Sequence, residues 1–121
     1  MATIDWALLC DLAYFDTYGN LCVIGVHTEG PVRVLPTGVR RLSIAAHLAN
    51  LKINEHLDIA LSISTPSGVS TEADGFEAVR TELNADCLVL SIEKAPLLRE
   101  GVYRFDISVG SASLDIPLVV A

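Results

Sequence analysis

The sequence predicts an all-β fold, a single antiparallel β-sandwich of about seven to eight strands over residues 1–121. Two observations carry this prediction. Apolar and polar residues alternate with period two through most of the chain, as strands require when one face packs on a core and the other meets water. Turn sequences such as Pro66-Ser67-Gly68 and Arg99-Glu100-Gly101 interrupt the alternation at nearly regular intervals.

Alternation and turns together place the strands along the chain. In LDIALSIST and YRFDISV, for example, apolar residues occupy every second position. The predicted strands are residues 4–15, 21–28, 39–49, 57–65, 69–73, 87–94, 102–109 and 113–120. Residues 29–38 contain two prolines and are expected to cross between sheets. Residues 72–86 are expected to form either a helical turn or a long acidic loop, with a short strand near Phe76 as a further alternative.

The first predicted strand is unusual because it is apolar on both faces. The face expected to line the core carries Trp6, Leu8, Cys10, Leu12 and Tyr14. The opposite face carries Ala7, Leu9, Ala13 and Phe15, with Asp11 as its one charge. A second apolar face needs a cover. The cover is expected to be either another subunit or one of the chain's own loops, 29–38 or 72–86.

This second face is our predicted interaction surface, for self-association or for docking a protein partner. Its predicted residues are Leu9, Ala13, Phe15, Ile24 and Val26. Asp11 lies on the same face and is expected to hydrogen-bond an amide of a neighbouring strand or loop, a structural use without catalysis. The turn DTYGN ends in Gly19-Asn20, residues that tolerate positive φ and close a hairpin between the first two strands.

Charge and composition argue against several functions. The net charge is −7, from 8 Lys and Arg against 15 Asp and Glu, and the basic residues are scattered, so no nucleic-acid partner is expected. No stretch approaches the roughly 18 apolar residues of a spanning helix, and the N-terminus lacks the basic start of a signal peptide. We therefore expect a cytoplasmic protein without membrane contact. The 3 cysteines lack C-x-x-C spacing and are expected to be reduced and buried.

Motifs for catalysis or for a cofactor do not occur in the sequence. It contains no G-x-S-x-G, Walker or H-E-x-x-H pattern, and His27, His47 and His56 are expected to be surface or hydrogen-bonded residues. We therefore predict a protein that is not an enzyme and has no cofactor. One alternative stays open, a calcium or small-ligand site built from the acidic residues Glu72, Asp74 and Glu77, because calcium is bound by several converging oxygens.

The first hairpin also carries a pattern that is familiar from other proteins. A C-D-x-A strand and a G-N-L turn lead into an I-G strand, formed by Cys10, Asp11, Ala13, Gly19, Asn20, Leu21, Ile24 and Gly25. With this pattern and the G-x-Y-x-F motif of residues 101–105, the chain resembles a family of small uncharacterised bacterial proteins over nearly its whole length. His27 and Asn20 replace the family's usual aromatic residue and lysine. The resemblance implies an immunoglobulin-like or related β-sandwich and transfers no catalytic residue.

Overall fold

The computed structural model describes residues 2–27, 39–52, 57–66, 70–71 and 77–120. These residues form two antiparallel sheets that face each other as a β-sandwich, which confirms the predicted fold class. The described part contains eight strands of six residues or more and one strand of two residues. Within it there is no helix long and apolar enough to cross a membrane.

The two sheets are built from strands that are mixed along the chain. In chain order the strands are β1 (Thr3–Phe15), β2 (Leu21–His27), β3 (Val39–Ala49), β4 (Ile59–Ser64), β5 (Ser70–Thr71), β6 (Glu77–Asn84), β7 (Cys87–Pro96), β8 (Gly101–Val109) and β9 (Ala112–Val120). The larger sheet has the order β2-β1-β3-β7-β6, and the smaller has the order β5-β4-β8-β9. All strands other than β6 were expected from the sequence pattern.

Over residues 77–86, the prediction of a helical turn or an acidic loop is wrong. The further alternative, a short strand near Phe76, is closer, because β6 begins at Glu77 and is 8 residues long. Strand β6 pairs with β7 at the edge of the larger sheet. The alternation of apolar and polar residues in β6 is weak. Thr81 and Leu83 pair with the core residues Leu90 and Leu88, but both are exposed. Residues 72–76, and the predicted crossing segment 29–38, lie outside the described residues.

The main hydrophobic core lies between the two sheets. Its largest buried side chains come from both: Leu9, Leu42, Ile44, Leu48, Leu88, Leu90 and Ile92 from the larger sheet, and Ile63, Phe105, Ile107 and Leu118 from the smaller. Burial of one such side chain contributes about 1.5–3 kcal/mol relative to leaving it in water. The two sheets are therefore held together mainly by these alternating apolar residues.

The core side of β1 is the opposite of the predicted one. Leu9 is only 1% exposed and packs in the main core, with Ile4 and Ala7 beside it, whereas Trp6 is 40% exposed. Alternation determines which residues share a face of a strand, but it does not say which face is inside when both are apolar. The prediction that the Trp6 face lines the core is therefore wrong.

Strand β1 bends at Asp11. Its pairing with β3 ends at Cys10, whereas its pairing with β2 continues to the hairpin turn. An unbroken strand would place Cys10 and Ala13 on opposite faces, yet both lie in a second buried cluster with Ala45 and Val89. The alternation is therefore interrupted at the bend, and the hairpin beyond it crosses the outer face of the larger sheet.

We call the folded-over part of this hairpin, residues 11–25, the flap. Three partly buried side chains of the flap pack on the second cluster: Phe15, Leu21 and Val23. At the tip of the flap, the side-chain amide of Asn84 at the end of β6 donates a 3.0 Å hydrogen bond to the carbonyl of Gly19. The flap thus reaches from β1 to β6, and the chain's own first hairpin covers the outer face of the larger sheet at Ala45 and Val89.

A glycine on β2 makes room for the bend. Gly25 lies opposite Asp11, at a position that the ladder between β1 and β2 skips. Its φ is +71°, a conformation that costs an L residue energy. A Cβ atom at Gly25 would overlap Oδ2 of Asp11, so the carboxylate occupies the space that a side chain needs.

Replacement of this glycine tests the packing at the bend. We expect Gly25→Ala to lower the free energy of unfolding by more than the roughly 1–2 kcal/mol that the left-handed conformation alone costs, because the new methyl group also displaces the Asp11 carboxylate. Gly110→Ala is the matched control, since Gly110 has φ +59° and open space around the added methyl group. Urea unfolding followed by circular dichroism measures both variants, and equal losses would contradict the close packing.

Candidate functional site

The five residues predicted to form an interface lie on different surfaces. Leu9 is in the main core. Ala13 and Phe15 face the second cluster beneath the flap, where Ala13 is buried and Phe15 is half-buried. Ile24 and Val26 are 53% and 47% exposed. The five residues therefore do not share one face. Of the five, Ile24 and Val26 are the two that expose apolar surface to a partner.

The residues of the calcium alternative are only partly described. Glu72 and Asp74 lie outside the described residues, and Glu77 is the first residue of β6. Among the side chains that the structure does describe, no group of three or more His, Cys, Asp and Glu residues is arranged to hold a metal ion. No observation on the described residues therefore favours a metal site.

A cluster of Asp11, His27 and Arg40 ties together three strands at the bend. Oδ1 of Asp11 lies 2.7 Å from Nη2 of Arg40 on β3 and 2.8 Å from Nε2 of His27 on β2. An ionised carboxylate can only accept hydrogen bonds, so Nε2 of His27 carries the proton in this contact. Among the described residues Asp11 therefore binds two side chains, where a backbone amide was predicted, and these contacts hold the bend.

Another polar cluster, which we call the His47 cluster, is centred on His47 on the outer face of the larger sheet. Its Nδ1 lies 3.0 Å from Oδ2 of Asp5 on β1, and its Nε2 lies 2.8 Å from Oδ2 of Asp86 in the turn between β6 and β7. The imidazole also stacks on Trp6, with ring centroids 6.0 Å apart and an angle of 17° between the planes. The expectation that His27 and His47 are hydrogen-bonded residues is confirmed, while His56 lies outside the described residues.

The two carboxylates change the protonation of His47. The hydrogen bond to Asp86 is the main cause that raises the pKa of His47 above 6.5, and the bond to Asp5 adds to it. The same contact lowers the pKa of Asp86 below 3.8. The cluster therefore places, between two carboxylates, an imidazole that stays charged to a higher pH than usual. Sequence spacing could not reveal it, because the three residues come from separate segments.

The three cysteines are free thiols, and the surroundings of Cys10 and Cys87 disfavour the thiolate form of these two. Burial, together with the charge of Asp11, raises the pKa of Cys10 to about 11. Burial and the neighbouring Asp86 raise the pKa of Cys87 above 9.0. A thiol reacts as the thiolate, so these shifts work against nucleophilic catalysis. The predicted burial holds fully for Cys10, whereas Cys22 and Cys87 are half-buried.

The outer side of the flap presents apolar side chains to solvent. Leu12 pairs with Ile24 and Tyr14 pairs with Cys22 across the hairpin, on the side turned away from the second cluster. Tyr14 is 41% exposed and Ile24 more so. Beside them, a groove of about 440 Å³ runs between the hairpin and β9, and its walls are Ala7, Leu8, Leu9, Val26, His27, Ile116, Pro117 and Val119. Exposed apolar side chains therefore lie on the outer side of the flap and also along the groove beside β9.

Comparison with known proteins yields one match. A family model described as "Family of unknown function (DUF6941)" matches residues 5–121. No curated protein and no solved structure matches the chain. The match extends from β1 to the end of the chain and includes the bend, the flap and both polar clusters.

Removal of the negative charge of Asp11 tests the contribution of the cluster at the bend to stability. We expect Asp11→Asn to lower the free energy of unfolding by about 1–2 kcal/mol, because Arg40 and His27 lose the carboxylate that accepts from both. Asp115→Asn is the matched control, since Asp115 forms a 2.8 Å pair with Arg104 between two exposed side chains, and such pairs contribute less than about 1 kcal/mol. Urea unfolding compares the two, and an equal or larger loss for Asp115→Asn would contradict a structural role for Asp11.

Proposed function

Because the chain belongs to the family of unknown function DUF6941, which assigns it no activity, we propose from its surface that it is a non-enzymatic interaction module. The proposed partner is an extended segment of another protein. It adds to the edge of β2 that pairs with no other strand among the described residues, and it packs on the apolar side chains beside that edge. A second copy of the chain is a possible source of that segment. The bacterial, cytoplasmic setting stays a prediction, as does the immunoglobulin-like assignment of the sandwich.

The composition of the sheet edges supports this proposal. Edge strands expose unpaired backbone groups, and natural proteins protect them with charged residues or proline. Among the described edges, β6 carries Glu77, Arg80 and Glu82, and β9 carries Asp115 and Pro117. Strand β2, with the sequence LCVIGVH, has no proline and no Asp, Glu, Lys or Arg. Its edge is therefore the long edge with the least protection against an added strand.

The side chains next to this edge supply apolar contacts for such a segment. Ile24 and Tyr14 are exposed on the outer side of the flap, and Val26 is exposed beside the groove that leads to Val119 of β9. Exposed apolar residues are common singly, but several of them beside a sheet edge without charged residues are typical of interaction sites. Arg41, also exposed, lies with Ile24 at a neighbouring hollow, so an acidic residue in the partner segment would complement this end.

The polar clusters support a binding role rather than catalysis. Asp11 holds two strands through Arg40 and His27, and both nitrogens of His47 are engaged by carboxylates. Catalytic acids and bases need a free position toward a substrate. In this module the polar and titratable side chains of the two clusters stabilise the fold, and apolar side chains of the flap face outward. This arrangement suits docking.

Charged substitutions on the proposed surface test it directly. We expect Ile24→Asp and Val26→Asp to abolish binding, because each places a carboxylate where apolar contact is needed. Val102→Asp is the matched control, since Val102 on β8 is 41% exposed and lies on a different sheet. Light scattering over a concentration series measures self-association. Selection of phage-displayed random peptides on the immobilised protein identifies foreign segments.

The outcomes separate the sources of the partner segment. Loss of a dimer in Ile24→Asp and Val26→Asp, with the dimer kept in Val102→Asp, identifies a second copy as the partner. A wild-type monomer that selects extended apolar peptides, which the first two variants no longer bind, identifies a foreign segment. If the three variants behave alike in both assays while remaining folded by circular dichroism, the β2 surface is not the docking site.

A further inference from the structure

We propose that His47 is a proton-operated latch: with both ring nitrogens protonated, it ties β1 to the turn that holds the tip of the flap, and loss of one proton frees the flap to lift. The inference does not depend on the docking role of β2. It rests on the geometry of the His47 cluster, on the connection from that cluster to the flap tip, and on what the flap covers.

The geometry requires a charged imidazole. Both Asp5 and Asp86 present a carboxylate oxygen to the ring, at 3.0 Å from Nδ1 and 2.8 Å from Nε2. A carboxylate accepts a hydrogen bond and cannot donate one, so each nitrogen must carry a proton. Neutral imidazole has one N–H group, so deprotonation of His47 necessarily breaks one of the two contacts and leaves two lone pairs facing each other.

The broken contact matters because the turn between β6 and β7 is strained. Ala85 in this turn has φ +54°, a conformation that a non-glycine residue adopts at a cost. The turn is held against that strain from β3, by the amide of Leu48 on the carbonyl of Asp86 at 2.7 Å and by the His47 ring on the Asp86 side chain. Deprotonation of His47 weakens this restraint, because the ring loses its positive charge and keeps one N–H group for two carboxylates.

The same turn carries the anchor of the flap. Asn84, directly before Ala85, donates the side-chain hydrogen bond to Gly19 at the flap tip. Asn84 on β6 pairs with Cys87 on β7 across the turn. Cys87 in turn pairs with His47 on the neighbouring strand β3. The latch, the turn and the flap anchor therefore occupy adjacent positions on one end of the sheet. A change in the turn is transmitted to the anchor over a single residue.

Among the described groups that face the latch, His47 is the one imidazole, and its titratable neighbours are two aspartates and a cysteine. Asp5 on β1 and Asp86 in the turn are carboxylates, and the pKa of Asp86 is lowered further by His47. The pKa of Cys87 on β7 is raised above 9.0 by burial. At the flap tip, the backbone amides of Asn20 and Tyr18 lower the pKa of Asp16, so it is ionised throughout.

The direction of the pH effect follows from the raised pKa of His47. The latch contributes fully below about pH 6.5, where the ring is charged whether the flap is closed or open. Its contribution is lost as the pH rises through the higher pKa of the closed state. Each pKa unit of difference between closed and open states changes the ratio of open to closed molecules tenfold across this window.

Cys10 reports on the flap, because its side chain is fully buried in the cluster beneath it. The experiment measures the rate at which N-ethylmaleimide modifies Cys10 in the full chain between pH 5.5 and 8.5, with peptide mass spectrometry to separate Cys10 from the other cysteines. Dividing by the rate for the urea-unfolded chain at the same pH removes the ionisation of the thiol itself. In parallel, NMR titration of the His47 ring protons gives its pKa.

We expect the protection of Cys10 to fall as the pH rises above about 6.5, by the factor that the NMR pKa of His47 predicts. In His47→Gln the protection should no longer vary with pH. His27→Gln and His56→Gln are the controls, and both should keep the variation, which excludes His27 at the base of the flap as its source. Asp86→Asn should lower the pKa of His47 and shrink the variation with it.

Three results would overturn the latch. One is a pKa of His47 at or below 6.5 in the wild-type chain, a measurement that depends on no variant. Another is protection of Cys10 that is independent of pH although the pKa of His47 is raised, since the ring would then hold the turn without governing the flap. Variation that persists in His47→Gln and disappears in His27→Gln would also overturn it and assign the effect to the Asp11 cluster.

Discussion

The bend of β1 at Asp11 is the constraint on which the rest of the structure depends. A straight strand of this length would run past β3 with apolar residues on both faces, and one of those faces would meet water. By bending, the chain uses residues before Asp11 to fill the space between the sheets, and residues after it to cover the outer face of the larger sheet. One strand thus contributes to two cores, and the small side chains of Cys10 and Ala13 let the flap approach closely.

The sequence predicts the sandwich and most of its strands because burial of one face imposes a period of two on local sequence. It does not predict the flap, since the alternation only shows a break once the spatial neighbours of Cys10 and Ala13 are known. Strand β6 was missed for a related reason, because an edge strand that extends beyond the core has few apolar residues to mark it. The pattern C-D-x-A followed by I-G, which carried the resemblance, proves to be the bend itself, with Asp11 packed over Gly25.

The two histidine clusters differ in a way that sequence could not show. In the Asp11 cluster one carboxylate oxygen serves two donors, so a single N–H of His27 is sufficient. In the other cluster one imidazole serves two acceptors, so His47 needs both of its protons. The first arrangement therefore persists when the histidine is neutral, and the second does not. This difference makes the base of the flap a fixed point and its tip a place that can respond to protons.

The flap also links stability to the proposed binding surface. Its inner side packs on the second cluster with Phe15, Leu21 and Val23, and its outer side carries Tyr14 and Ile24 beside the unprotected edge of β2. Because one short hairpin has both sides apolar, burial of the inner side fixes the direction in which the outer side faces. A partner strand on β2 would therefore bind an element whose position is set at one end by Asp11 and at the other by the turn that His47 holds.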